Sequence, residues 1–184
     1  MADDAAEELR ERTIATRRVY EGRVVKLRVD QVELPGGRRS EREVIEHAGA
    51  VGAVALTDDW HVLLVRQWRY AVDQALLEIP AGTREPGESP EECMRRELVE
   101  EVGHRAGAMR FLAEVYVSPG YSAESIHLFL ATDLQARTAA ADYDENIEVV
   151  ALPLDEALAM CRDGRIHDGK TVAGLLLAGD LLAR

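Results

Sequence analysis

The stretch from Gly82 to Gly103, GTREPGESPEECMRRELVEEVG, constrains the fold more than any other part of the chain. Ser89 stands where an N-cap belongs, and Pro90 fits the first helical position. Glu91 and Glu92 suit the positive end of the helix dipole, and Gly103 is placed to stop the helix. Met94, Leu98 and Val102 recur every four residues, so one side of the helix is apolar and is expected to lie on a sheet. Glu97 has Glu100 and Glu101 three and four residues away, as neighbours on one face. Like charges so placed destabilise a helix unless cations or arginines neutralise them. Carboxylate oxygens suit hard divalent ions such as Mg²⁺, and the preceding loop offers backbone carbonyls, that of Ala81 among them.

The rest of the chain predicts a sheet for that helix to cover. Residues 24–34 alternate, with Val25, Leu27 and Val29 on one face and Lys26, Arg28 and Asp30 on a wet one. Pro35-Gly36-Gly37 turns the chain into a returning strand at 42–46. The dense apolar run 51–56 suits a buried central strand, and residues 61–67 return beside it. Residues 80–90 read as a loop, further strands are expected at 111–117, 126–131 and 147–152, and closing helices at 155–161 and 172–182. Strands outnumber helices without alternating regularly, which predicts an α/β fold with a mixed sheet flanked by helices. Residues 1–12 read as a polar lead-in and 13–184 as one domain, with an N-terminal β-hairpin at about 13–47.

The 184 residues carry 34 acids against 22 lysines and arginines, a net charge of −12 that argues against a nucleic-acid partner. Most of it is local: residues 85–101 hold seven acids and two arginines, and residues 142–148 hold four acids and no base. Bound Mg²⁺ would reverse the sign there and admit an anionic substrate. Cys93 and Cys161 are too few for a disulfide framework or a four-cysteine zinc site, and are expected to be small reduced thiols. The acidic start is not a signal peptide and no apolar run is long enough to span a bilayer, so the expectation is a cytoplasmic protein with no membrane partner.

The spacing of Gly82, Glu88, Arg96, Glu97, Leu98, Glu100, Glu101 and Gly103 is that of the Nudix box, and the chain resembles the Nudix hydrolases from the hairpin to the final helix. His104 stands where the family has an apolar residue, a position that packs rather than coordinates. The resemblance implies an α/β/α sandwich and hydrolysis of a nucleoside diphosphate linked to another group, with Mg²⁺ or Mn²⁺. It further implies that Glu97 and Glu101 are the principal metal ligands, joined by Glu100 and the Ala81 carbonyl, while Arg96 orients the carboxylates and Glu88 is its structural partner. Glu100 and Arg96 count with them among the catalytic residues.

LLEIPAG before the box and SPGYSAES after it, with Pro119 fifteen positions past His104, resemble the ADP-ribose pyrophosphatase subgroup. Tyr121 leaves open a resemblance to dinucleoside polyphosphate hydrolases; oxidised nucleoside triphosphates and a non-catalytic nucleotide-binding role are further alternatives. The subgroup implies release of AMP and ribose 5-phosphate, and a general base on a loop between late strands, for which Glu145 is the first choice and Glu148 the second. Arg69 and Arg42 are candidates to meet the pyrophosphate, Glu124 to bind the terminal ribose, and Trp68 or Tyr20 to stack on adenine; each is equally readable as a surface residue or, for the aromatics, as core. His47, His61, His127 and His167 show no ligand spacing and read as structural. The resemblance also suggests a homodimer.

Overall fold

The computed structural model describes residues 7–137 and 147–183, and it separates into two compact units. The smaller comprises the described residues up to His47 together with Ser118–Glu124. Its sheet has three antiparallel strands in sequential order, β1 (Arg12–Glu21), β2 (Lys26–Glu33) and β3 (Arg39–Glu46). The expected hairpin is the β2–β3 pair, to which β1 adds a strand that the sequence pattern did not predict. All ten residues of β1 are exposed, so the strand shows no burial alternation to read. Ile45 exchanges backbone hydrogen bonds with Tyr121 and Ala123, which ties the segment Ser118–Glu124 to β3. The supposedly wet face of β2 contains Asp30, which is buried because Arg28 donates to its Oδ2 at 2.9 Å.

The larger unit is built on a seven-stranded mixed sheet. Its strands are β4 (Ala50–Leu56), β5 (His61–Arg69), β6 (Gln74–Glu78), β7 (Ala81–Thr83), β8 (His104–Tyr116), β9 (Ser125–Ala136) and β10 (Ile147–Pro153). The central path runs β10-β5-β4-β9-β8, with β6 paired to β5 and β7 to β4. Strands β4 and β9 are parallel, while β8–β9, β4–β5 and β5–β10 are antiparallel. The loop expected at 80–90 therefore contains a short strand, and the strand expected at 111–117 starts at His104, immediately after the helix.

Three helices cover this sheet: α1 (Pro90–Val102), α2 (Leu154–Asp163) and α3 (Gly169–Leu182). Every residue of β4 is buried, because its two faces serve two apolar layers. Val51, Ala53 and Ala55 pack with Cys93, Met94, Leu98 and Val102 of α1. Val54 and Leu56 pack in the other layer, with Leu154 and Ala157 of α2 and Leu175 and Ala178 of α3. This is the expected α/β/α sandwich. Two glycines let α3 approach closely: a Cβ at Gly52 or at Gly174 would lie 3.1 Å from Ile79 Cδ1. Each fully buried Leu or Met side chain contributes about 1.5–3 kcal/mol to holding its helix on the sheet. No helix among the described residues is long and apolar enough to cross a membrane.

Candidate active site

Helix α1 starts as its sequence requires. Ser89 accepts from the Glu92 amide while the Glu92 side chain accepts from the Ser89 amide, a complete capping box, and Gly103 ends the helix in the left-handed region at φ 65°. With the apolar stripe buried against β4, the opposite side carries the carboxylates, and Arg96 organises them. Its Nε and Nη2 donate to the two Glu88 oxygens at 3.1 Å each. Its Nη1 donates to Glu97 Oε1 at 2.7 Å and to Glu100 Oε2 at 2.8 Å. One guanidinium thus offsets three of the four acids, which answers the like-charge problem posed by the helix face.

These contacts fix protonation states. Hydrogen bonds from Arg96, helped by the Glu85 amide, hold the Glu88 carboxyl down at about 2. Arg96 is raised in turn, chiefly by Glu88. Burial, with a smaller contribution from Glu88, pushes the Cys93 thiol up to about 12, so it is an inert packing group.

Glu101 is placed differently. Its Oε2 accepts from the Ala81 amide at 2.8 Å, which links the helix to β7. Strand β7 also brings Gly82 under Glu97: a Cβ built on Gly82 would lie 1.9 Å from Glu97 Oε1. Glycine at this position is required by close approach, since any larger residue would displace the carboxylate. The structure therefore gathers Glu97, Glu100, Glu101 and Ala81 around one end of β7 and one side of α1, each carboxylate with a protein partner. No three of the described His, Cys, Asp or Glu side chains converge in a ready metal-ligand arrangement. The donor set is all oxygen, and the room at Gly82 belongs to a carboxylate, so the residues suit a hard divalent cation.

The remaining candidates are spread more widely. Arg69, at the end of β5, donates from Nε and Nη2 to the two oxygens of buried Glu78, each at 2.6 Å. Arg42 lies in the smaller unit, on β3, where it contacts Ser40 and the Glu41 carbonyl and donates to Glu11 Oε1 at 2.5 Å. Glu124 belongs to that unit too, with His47 Nε2 at 3.9 Å. Glu148 accepts from Arg66 across the β5–β10 pair at 3.0 Å, on an exposed face. Glu145 lies outside the described residues. Trp68 and Tyr20 are both exposed. Among the histidines, His61 and His167 contact backbone carbonyls through Nδ1, while His127 Nδ1 is buried with no hydrogen-bond partner.

Sequence reasoning passed over Glu78, Asp168, Lys170 and Thr171, which form one polar cluster behind Arg69, with Glu78 and Thr171 buried and Asp168 and Lys170 partly so. A lone glutamate inside the apolar run LLEIP is the signal that points to it.

Comparison with known proteins agrees with this geometry. A Nudix domain profile matches residues 46–175, and a profile of the nucleoside diphosphate sugar hydrolase N-terminal domain matches residues 11–45. The chain belongs to the Nudix family and is a hydrolase. It is 44% identical to a Bacillus methanolicus protein named methanol dehydrogenase activator, over 88% of this chain and 89% of that one. It is 39% identical to an ADP-ribose pyrophosphatase of Bacillus subtilis over 89% of each chain. A GDP-mannose pyrophosphatase of Citrobacter koseri is 42% identical over 73% of this chain and 75% of its own. The crystal structure of an ADP compounds hydrolase superposes with a TM-score of 0.85 over 95% of each chain, at 26% identity.

Proposed function

We propose that this protein hydrolyses the pyrophosphate bond of ADP-ribose or a related nucleoside diphosphate sugar, releasing AMP and ribose 5-phosphate from ADP-ribose. The observation that carries the reading is the Arg96-organised carboxylate set on α1, in a chain whose residues 11–45 match the N-terminal domain of nucleoside diphosphate sugar hydrolases. Glu97, Glu100, Glu101 and the Ala81 carbonyl would hold Mg²⁺ or Mn²⁺. Such an ion supplies neutralisation of pyrophosphate charge and lowers the pKa of water. Arg96 orients Glu97 and Glu100 through its Nη1, and Glu88 fixes Arg96 from the other side. Arg69 contacts the pyrophosphate, Arg42 adds positive charge, and Glu124 binds the terminal ribose. Glu145 takes the proton of the attacking water, with Glu148, which is engaged by Arg66, the second choice. The protein works in the cytoplasm as a homodimer.

The test is nucleotide release from a panel of ADP-ribose, GDP-mannose, dinucleoside polyphosphates and oxidised nucleoside triphosphates, each with Mg²⁺ and with chelator. Expected are AMP from ADP-ribose, loss of turnover with chelator, and a fall of about 100-fold or more for Glu101→Gln with an unchanged melting temperature. Binding without turnover across the panel would overturn the reading in favour of a nucleotide-binding module. Parental turnover by Glu101→Gln would overturn the metal assignment.

A further inference from the structure

Glu78 is the most deeply buried charged residue in the described chain, at 1% exposure, and it ends β6 between Leu77 and Ile79. A carboxylate taken from water into such surroundings is strongly disfavoured unless it is paired and fully hydrogen-bonded. The structure supplies two cations. Arg69 grips both oxygens, and Lys170 donates to Oε2. Burial pushes the Glu78 carboxyl up, but the Arg69 hydrogen bonds and the Lys170 charge outweigh it and hold the group ionised.

Lys170 is itself anchored, with Nζ 3.1 Å from Asp168 Oδ2. Asp168 caps α3, accepting from the Thr171 amide at 3.0 Å and from its hydroxyl at 2.6 Å. The Thr171 hydroxyl accepts in turn from the Ile79 amide at 2.8 Å. Glu78, the last residue of β6, and the adjoining Ile79 are thereby fastened to the first turn of α3. Pro80 follows, its carbonyl accepting from the Ala53 amide at 3.0 Å, and then Ala81 donates to Glu101.

Arg69 stands at the open end of this relay. Its side chain is 43% exposed, and Nη1 makes no hydrogen bond among the described residues. The charges that act on it include Asp168 and Glu101 as well as Glu78, which places the guanidinium within electrostatic reach of the carboxylate site.

We infer that Glu78 is a positioning residue for Arg69: it holds the guanidinium at two nitrogens, Lys170 and Asp168 hold Glu78, and the third nitrogen is left for the pyrophosphate of the substrate. The inference rests on the nucleoside diphosphate sugar reading of the site. A half-exposed arginine without this grip would sample many rotamers, and binding would then have to order it. An arginine held beforehand binds an anion without that cost.

The experiment measures KM and kcat for ADP-ribose, with melting temperature, in the parent, Glu78→Gln, Arg69→Ala and the double variant. Glu78→Gln is expected to raise KM about tenfold with kcat within about threefold, since substrate binding loses a preordered partner. Arg69→Ala is expected to raise KM at least as much, and the double variant to match Arg69→Ala within about twofold. An effect of Glu78→Gln on KM that persists undiminished without Arg69, or that falls on kcat alone, overturns the inference. Arg69→Lys covers the case in which Glu78→Gln does not fold, because it keeps a cation at a half-exposed position but cannot be gripped at two nitrogens. It is expected to raise KM about as much as Arg69→Ala, and a parental KM overturns the inference. Parental turnover with an unchanged KM in Arg69→Ala sinks this inference alone. Absence of turnover by the parent on every nucleoside diphosphate sugar sinks the functional reading, and this inference with it.

Discussion

The two sheets of this chain are held together by different forces. In the seven-stranded sheet, β4 is buried along its whole length between two apolar layers, each capped by helix. In the three-stranded sheet, β1 is exposed along its whole length, and charge pairs lace the strands. Arg12 meets Glu33 at 3.0 Å, Arg28 meets Asp30 at 2.9 Å and Glu46 at 2.8 Å, and Arg18 also reaches Glu46. An exposed ion pair such as Arg12–Glu33 contributes about 0–1 kcal/mol and weakens with salt, whereas a buried leucine contributes several times more. The carboxylate helix is seated on the apolar sheet, where packing of Met94, Leu98 and Val102 fixes its position.

The largest expected effect tests that seating. Leu98 is fully buried on the face of α1 opposite the carboxylates, among Met94, Val51 and Phe129. Leu98→Ala is expected to destabilise the fold by about 2–5 kcal/mol, read by chemical denaturation, with little dependence on salt. A loss below about 1 kcal/mol would mean that α1 is not seated by its apolar stripe. Gly82→Ala comes next and acts on the site rather than on the layer. Its new Cβ would overlap Glu97, so turnover is expected to fall by about tenfold or more while the melting temperature moves by only a few degrees. Parental activity would show that the Glu97 position is not critical.

These two residues also mark how far the sequence could be read. Helix α1 was legible to the residue because caps, stripe and box spacing all state the same element, and β4 was legible because a run buried on both faces is apolar throughout. The Arg96–Glu88 pair was also foreseen, and it lies where a box-spaced arginine and glutamate put it. Strand β1, RTIATRRVYE, was not, since a strand exposed on both faces leaves no periodic trace. Strand β6 and the Glu78 cluster were missed for a related reason. Lys170 lies 92 residues from Glu78 in the chain, and only the folded protein brings it and Asp168 to the strand end.

A smaller effect concerns charge within the apolar unit. Glu88 is ionised well below its ordinary range because Arg96 and the Glu85 amide bind the charged form. A depressed carboxyl stabilises the folded state fully above the unfolded value of 4.5, and that contribution is lost as pH falls from there toward about 2. Glu88→Gln should therefore lower the melting temperature most at neutral pH, and the two proteins should converge as pH approaches 2. A difference that stayed constant across that window would mean that Glu88 acts by shape and not by charge.

The smallest expected effect lies on β1 and is the one most able to break the comparison. Val19 is 46% exposed, and Val19→Thr keeps the β-branched side chain and the strand preference that goes with it. An exposed position of this kind tolerates the change within about 0.5 kcal/mol. Ile14 and Tyr20 are exposed on the same strand, so β1 presents apolar side chains as well as arginines. If a second copy of the chain covers β1, the substitution would remove buried contact, and the loss would exceed about 1 kcal/mol and grow as protein concentration falls. Melting curves of parent and variant at several concentrations separate the two cases. A concentration-independent difference near zero keeps β1 as an exposed, charge-laced strand, while a concentration-dependent loss would show that the smaller sheet, like the larger one, depends on an apolar layer that another copy supplies.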